Sequence, residues 1–136
     1  MKRTVFRIIL ILLLIGTSLL AFDAELKAIP ETILYVNPSA TVVFEGNIFS
    51  INVTVKDVFD LFAFEFCLGY NTTVLDALTL IVLPPFNEGP IIINDAEGYV
   101  QVSGSLLPGE PGLSGSFPLV TITFKAAYLG ISMIPI

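Results

Sequence analysis

Residues 62–70 read Phe-Ala-Phe-Glu-Phe-Cys-Leu-Gly-Tyr, and Asn71-Thr72-Thr73-Val74-Leu75 follow at once. Large side chains therefore stand at every second position from Phe62 to Tyr70. A period of two is that of a β-strand, so these side chains project from one face and need a second layer to cover them. The stretch predicts a β-sandwich, with one strand running from about Phe59 to Tyr70.

The opposite face of this strand carries small and mixed side chains, which suit contact with water or with a partner. A later segment, Tyr99–Leu106, also alternates, with valines on one side and polar residues on the other. If the two strands share a sheet, Tyr99 is the natural anchor of a binding surface, because aromatic anchors dominate interface energies. The alternative is a face that is only solvated, or covered by residues beyond Ile136. The candidate partner-binding residues are Ala63, Glu65, Cys67, Tyr99, Gln101 and Ser103.

Other short segments alternate in the same way and are separated by turn signals. No segment beyond the first 24 residues has a helical period over ten or more residues. Regularly spaced short strands predict an all-β sandwich or barrel. Phe86–Pro90 is predicted to be a loop, and Asn94–Gly98 a turn. The further predicted strands are Ile33–Val36, Thr41–Phe44, Ile51–Val55, Val74–Leu83, Ile91–Ile93, Tyr99–Leu106, Val120–Lys125 and Gly130–Ile136.

The N-terminus has the pattern of an export signal. Three basic residues precede an apolar run from Ile8 to Phe22, which is shorter than the roughly 20 residues of a membrane span. We predict a signal peptide over residues 1–24, with an uncleaved anchor as the alternative, then a linker over 25–32 and one domain over 33–136. The chain stops inside an apolar stretch, so we hypothesise a marginally paired last strand and a gene that continues. Membrane contact is expected only through an uncleaved leader or a missing C-terminal anchor.

Charge and composition narrow the possible partners. After cleavage at Ala21, three lysines would face twelve acids, a formal charge of −9, and such a surface repels nucleic acid. Asn52 and Asn71 each begin an Asn-X-Thr glycosylation pattern, which agrees with a secreted or cell-surface location. The single cysteine, Cys67, excludes an internal disulfide and is expected to be a partly covered thiol.

Catalytic and metal chemistry have little support. The chain has no histidine, so it lacks the commonest general base and the commonest transition-metal ligand. The acid pairs Asp57/Asp60 and Asp95/Glu97 lie in predicted turns, where solvated acids are ordinary. Asn94–Gly98 is better explained as an Asx turn than as a calcium loop. We therefore assign no catalytic residue and no metal ligand, and expect no enzyme activity.

Taken in order, several segments resemble a cohesin domain. They are Gly46–Val53, the stretch from Phe62 to Leu75, Leu119–Ala126, and Gly130-Ile131-Ser132. The chain departs from the cohesin pattern at Asn71 and Thr72, where cohesins commonly carry aspartate and proline. The resemblance implies a two-sheet antiparallel β-sandwich of jelly-roll type with about nine strands, related in fold to carbohydrate-binding modules.

The resemblance also implies a function by binding. Cohesins recruit dockerins, small helical calcium-binding modules, in polysaccharide-degrading or cell-surface assemblies. By this resemblance the chain itself needs no cofactor, and any calcium is expected on the partner. A carbohydrate-binding module is one alternative, although it normally needs exposed aromatic rings and only Tyr99, Tyr128 and Phe86 are expected to be exposed. A structural module of a surface or adhesive protein is the other.

Overall fold

The computed structural model describes residues 31–136, so the predicted leader and most of the predicted linker lie outside the described residues. Within this range every regular element is a β-strand, and no helix is long and apolar enough to cross a membrane. The strands are β1 Ile33–Asn37, β2 Ile48–Leu61, β3 Ala63–Gly69, β4 Leu75–Val82, β5 Asn87–Asn94, β6 Tyr99–Ser105 and β7 Leu113–Ala126.

The strands form two antiparallel sheets, which confirms the predicted all-β sandwich. Sheet A has the order β1-β2-β7-β4, and sheet B has the order β3-β6-β5. Residues 31–136 contain seven strands rather than about nine. The two predicted segments that form no strand, Thr41–Phe44 and Gly130–Ile136, belong to neither hydrogen-bonded sheet.

The core lies between the sheets and is built by the alternation that the sequence shows. Phe66 and Leu68 point inward from β3, and Ile122 and Phe124 point inward from β7. Phe124 is fully buried, and the centroid of its ring lies 5.3 Å from that of Tyr70 in an edge-to-face arrangement. Edge-to-face contacts of this kind are favourable beyond the area they bury. This contact joins the two sheets directly.

The second half of β2 is irregular. Asp57 and Asp60 adopt left-handed backbone conformations, with φ of 54° and 57°, and the register with β7 shifts on either side of Val58. A bulge leaves backbone groups without a ladder partner. Here the N–H groups of the two aspartates donate to the hydroxyl oxygens of Ser116 and Ser114, each at 3.0 Å. The two serine hydroxyls of β7 therefore take the place of ladder partners at the irregular part of β2.

Several aromatic residues differ from their predicted positions: Tyr35, Phe44, Phe59 and Phe62 are exposed, and Phe86 is buried. Phe62 is not covered like its neighbours but is 50% exposed, because it lies between the last residue of β2 and the first of β3, where the chain passes from sheet A to sheet B. Phe86 is buried against Phe64, with ring centroids 5.2 Å apart. The predicted loop Phe86–Pro90 is also wrong, since β5 begins at Asn87.

Candidate partner-binding face

The antiparallel pairing of β3 with β6 places the six candidate residues in one sheet. Glu65 pairs with Ser103, Cys67 pairs with Gln101, and Tyr99 pairs with Gly69. Residues directly opposite each other project to the same side of a sheet. The intervening residues of both strands point into the core. The outward side chains therefore form one surface, here called the outer face, which consists of Ala63, Glu65, Cys67, Tyr99, Gln101 and Ser103 together with Ile92 of β5.

The outer face is partly organised by its own hydrogen bonds. Gln101 donates from its side-chain amide to a carboxylate oxygen of Glu65. Ser103 donates from its hydroxyl to the carbonyl oxygen of Pro90 at 3.3 Å. These contacts fix two polar side chains on β6 while Tyr99 stays half-buried and accessible. A surface with few freely rotating side chains loses little conformational entropy on binding.

Ile92 is the outer-face residue that the sequence interpretation missed. It lies opposite Gln101 on β5 and is 45% exposed. Three consecutive isoleucines hide the period of two, so the pattern does not reveal which of them faces outward. With Tyr99, Ile92 gives the outer face an apolar contact area on two neighbouring strands.

Both lysines among residues 31–136, Lys56 and Lys125, belong to sheet A. The outer face of sheet B carries Glu65, and Glu97 lies in the turn between β5 and β6. Residues 31–136 contain no arginine. The face therefore lacks cations of its own and is electrostatically matched to a partner with basic residues.

The turn between β5 and β6 holds the end of the outer face in place. The predicted turn is present, and within it the N–H of Glu97 donates to the side-chain oxygen of Asn94 at 3.1 Å. The hydroxyl of Tyr70 donates to a carboxylate oxygen of Asp95, and the N–H of Tyr70 donates to the carbonyl oxygen of Gly98 at 2.8 Å. No cluster of three potential metal-ligating side chains occurs within residues 31–136. Asp95 and Glu97 accept hydrogen bonds from Tyr70 and Asn94, so both acids of this turn have a structural role.

We expect the contribution of Tyr70 to stability to disappear in strong alkali. Burial and the hydrogen bond to Asp95 raise the pKa of the Tyr70 phenol above its ordinary value, because both disfavour the phenolate. The unfolded chain then loses this proton more readily than the folded chain does. The contribution is complete below the unfolded pKa of about 10 and is lost as the pH rises through the higher folded value.

Chemical denaturation of the wild type and Tyr70→Phe from pH 7 to pH 11.5 measures this effect. At pH 7 the free energy of unfolding should be about 0.5–1.5 kcal/mol higher for the wild type than for Tyr70→Phe, as for a typical hydrogen bond. This gap between the two proteins should narrow above pH 10. Tyr128→Phe is the matched control, since Tyr128 is 67% exposed. A gap that is the same at pH 7 and pH 11.5 would contradict the prediction.

The two predicted glycosylation asparagines have different surroundings. Asn52 lies in the middle of sheet A, partly buried, and its side-chain oxygen accepts a hydrogen bond from the Thr121 hydroxyl at 2.8 Å. Asn71 is exposed in the turn after β3, and its side-chain oxygen accepts from the hydroxyl of Thr73 at 2.7 Å. Cys67 is exposed rather than partly covered. Glycosylation stays a prediction at both asparagines.

Comparison with known proteins yields structural matches only. No protein-family model matches the chain, and no curated protein matches it. The fold is similar to a type I cohesin–dockerin complex from Clostridium thermocellum, with a TM-score of 0.63 and 13% identity over 77% of this chain and 80% of that chain.

Two further structures extend this likeness. A type II cohesin–X-dockerin complex from Acetivibrio cellulolyticus has a TM-score of 0.60 at 15% identity, over 76% of each chain. A non-cellulosomal cohesin from the archaeon Archaeoglobus fulgidus has a TM-score of 0.52 at 14% identity, over 66% of this chain and 68% of that chain. The chain is therefore a β-sandwich with a cohesin-like fold.

Proposed function

We propose that this chain is a non-catalytic binding module that recruits a dockerin-like protein across the outer face of sheet B. The observation that carries the proposal is the cohesin-like fold, since two of the similar structures are complexes of a cohesin with a dockerin. Sequence identity to these two structures is 13% and 15%. At this level the likeness shows the fold, and the dockerin-like partner is proposed.

The physical character of the outer face supports this role. Its side chains are small or polar, apart from Ile92 on β5 and Tyr99 at the end of the face beside the turn between β5 and β6, so a helix can approach the sheet closely. Tyr99 offers a rigid ring with a hydroxyl group, a combination that is common at the energetic centre of interfaces. A helical partner with an apolar patch and basic residues would match both the ring and the carboxylate of Glu65.

We also place the module outside the cell, either secreted or attached to the surface. The basic and apolar leader pattern supports export, and a surface with many more acids than lysines is soluble there. Direct binding of polysaccharide by the outer face has little support, because Tyr99 is the one aromatic residue among the seven that form this face. A role in assembling polysaccharide-degrading enzymes is compatible with a module that does not touch sugar.

The experiment is a binding titration with calcium-loaded dockerin-type modules encoded in the same genome. Tyr99→Ala should raise the dissociation constant at least about tenfold, as for an interface anchor. The melting temperature should stay nearly unchanged, because the Tyr99 side chain faces outward and is only half-buried. Isothermal calorimetry and thermal unfolding measure the two quantities.

Tyr128→Ala is the matched control, because Tyr128 is an exposed tyrosine that follows β7 in sheet A. Its dissociation constant should equal that of the wild type. Equal weakening by both variants would remove Tyr99 from the site. Absence of binding to every dockerin-type module in the genome would overturn the proposed function itself.

A further inference from the structure

We propose that Asn71 is a modification site whose side-chain amide carries an N-linked glycan, and that Asn52, the other asparagine in an Asn-X-Thr pattern, is not modified. The modification takes place on exported chains, so its occurrence rests on the location proposed above. The pattern alone treats the two asparagines as equal, because each has a threonine two residues later and no proline between. The folded structure separates them by the access to each threonine, the backbone around each asparagine and the hydrogen bonds of each side chain.

The two threonines of these patterns differ in exposure. An enzyme that accepts asparagine only when a hydroxyl residue stands two positions later must contact that hydroxyl. Thr73, which completes the Asn71 pattern, is exposed. Thr54, which completes the Asn52 pattern, lies in β2 and is only 8% exposed. On the folded protein the Asn71 pattern therefore presents both of its recognised residues to an enzyme, and the Asn52 pattern does not.

The backbone around the two asparagines also differs. Asn52 lies in β2 between two other strands, where it pairs with Asn37 on β1 and with Thr121 on β7. Lifting this segment into an active site would break ladder hydrogen bonds on both sides. Asn71 lies in the turn after β3, and its carbonyl oxygen accepts from the nearby N–H of Leu75 at 2.9 Å. A surface turn with local hydrogen bonds opens at a lower cost than a central strand.

The turn brings the Asn71 amide and the Thr73 hydroxyl together. The side-chain oxygen of Asn71 accepts from the N–H of Thr73 at 3.0 Å and from its hydroxyl at 2.7 Å. Both bonds use the oxygen, so they leave the amide nitrogen Nδ2 available to form the bond to the sugar. In the extended β2, residues two apart are separated by about 6.5 Å, and the Asn52 oxygen instead accepts from Thr121 on the neighbouring strand. An enzyme can therefore contact both groups of the Asn71 pattern at one point.

The modification is a glycosyl transfer from a lipid-linked pyrophosphate donor. Nδ2 of Asn71 forms a bond to the anomeric carbon of the sugar, and the bond between that carbon and the donor phosphate oxygen breaks. The pyrophosphate leaves with the bonding electrons, and one amide proton passes to a base of the enzyme, so no oxidant or reductant takes part. The product is still a neutral amide and keeps the oxygen that accepts from Thr73. Glycans are bulky and belong on exposed surface, which is where Asn71 lies.

The test uses the purified, folded full chain, an oligosaccharyltransferase that requires only the Asn-X-Ser/Thr pattern, and a short lipid-linked oligosaccharide. Mass spectrometry with electron-transfer fragmentation locates the sugar. We expect modification of Asn71 and at least about tenfold less at Asn52, because the Asn52 pattern is accessible only when the sheet opens locally. Synthetic peptides of residues 49–56 and 69–76 are the unfolded controls, and both should be modified.

Variants of the turn test the role of the Thr73 hydroxyl. Thr73→Val should lower the modification of Asn71 at least about tenfold, because it removes the hydroxyl two residues after the asparagine, whereas Thr73→Ser should retain it. Thr72→Val is the matched control, since it removes a neighbouring hydroxyl and keeps the pattern intact. Circular dichroism of each variant separates a loss of recognition from a loss of the fold.

Three results would overturn the proposal: no sugar on Asn71 of the folded chain, equal modification of Asn52 and Asn71, or a peptide of residues 49–56 that is not modified. A second measurement separates this site from the proposed location. Protein isolated from outside its native cells should carry sugar on Asn71, and exported protein that is unmodified there would contradict the site. Protein found only inside the cell would instead overturn the proposed export, while the folded-chain experiment still decides which asparagine is the acceptor.

Discussion

Replacing Phe124 with alanine is expected to lower the free energy of unfolding by about 3–5 kcal/mol. The ring is fully buried and packs against Tyr70, which directly follows β3 of sheet B, and against Phe49 of sheet A, with centroid separations of 5.3 and 5.9 Å. Truncation removes the apolar area of the ring and leaves a cavity where the two sheets meet, and neighbouring backbone in paired strands relaxes little. Urea denaturation followed by circular dichroism measures the loss.

Phe59→Ala provides the comparison, since that ring is 85% exposed. Its removal should change the free energy of unfolding by less than about 0.5 kcal/mol, as for surface substitutions in general. If Phe124→Ala is too unstable to purify, Phe124→Leu should still show a smaller loss in the same direction. Equal stability of the two alanine variants would show that the sheets do not meet at Phe124.

The period of two along residues 62–70 predicted most of what organises this fold. It identified the buried face correctly from Phe66 to Tyr70, because Phe66, Leu68 and Tyr70 are all buried. It was wrong for Phe62, since alternation gives the face of a strand but not the residue at which the chain leaves one sheet for another. That point depends on the irregular end of β2, where Asp57 and Asp60 adopt positive φ. Nothing in the sequence distinguishes these aspartates from those of an ordinary turn.

The number of strands was harder to predict than the all-β class of the fold. Thr41–Phe44 has strand-like composition but no neighbour with which to form a ladder, and Phe44 is 80% exposed. Strand formation depends on a partner that is distant in sequence, so a local pattern cannot decide it. Gly130–Ile136 has a single backbone hydrogen bond to β3, through Pro135. The apolar composition of this segment therefore predicted a strand that the backbone hydrogen bonds do not form.

The candidate face could be predicted because it depends on two clear alternations. The expected sharing of a sheet by β3 and β6 is confirmed by the pairing of Cys67 with Gln101. Ile92 could not be predicted, because its exposure depends on the register of β5. Which of these residues contact a partner stays a prediction.

Gly98→Ala is expected to destabilise the domain by about 2–4 kcal/mol, combining an unfavourable backbone conformation with overpacking. Gly98 has a φ of +73°, and an added Cβ would lie 2.5 Å from the carbonyl oxygen of Tyr70 and 3.1 Å from the Thr72 methyl group. The first neighbour is backbone, so it cannot move without disturbing the hydrogen bond from Tyr70 to Gly98. That bond joins the end of β3 to the residue before Tyr99.

Gly109→Ala separates the two causes of this loss. Gly109 also has a positive φ, +92°, but an added Cβ would have no neighbour within 4 Å. Its substitution should cost only the conformational part, about 1–2 kcal/mol. The excess loss in Gly98→Ala then measures how tightly the turn between β5 and β6 is held against β3. Because Tyr99 directly follows Gly98, Gly98→Ala should also weaken the binding of a dockerin-type partner, whereas Gly109→Ala should not. Equal losses of stability in denaturant titrations would mean that the turn yields freely, and the outer face would then lack the rigid anchor on which its proposed function depends.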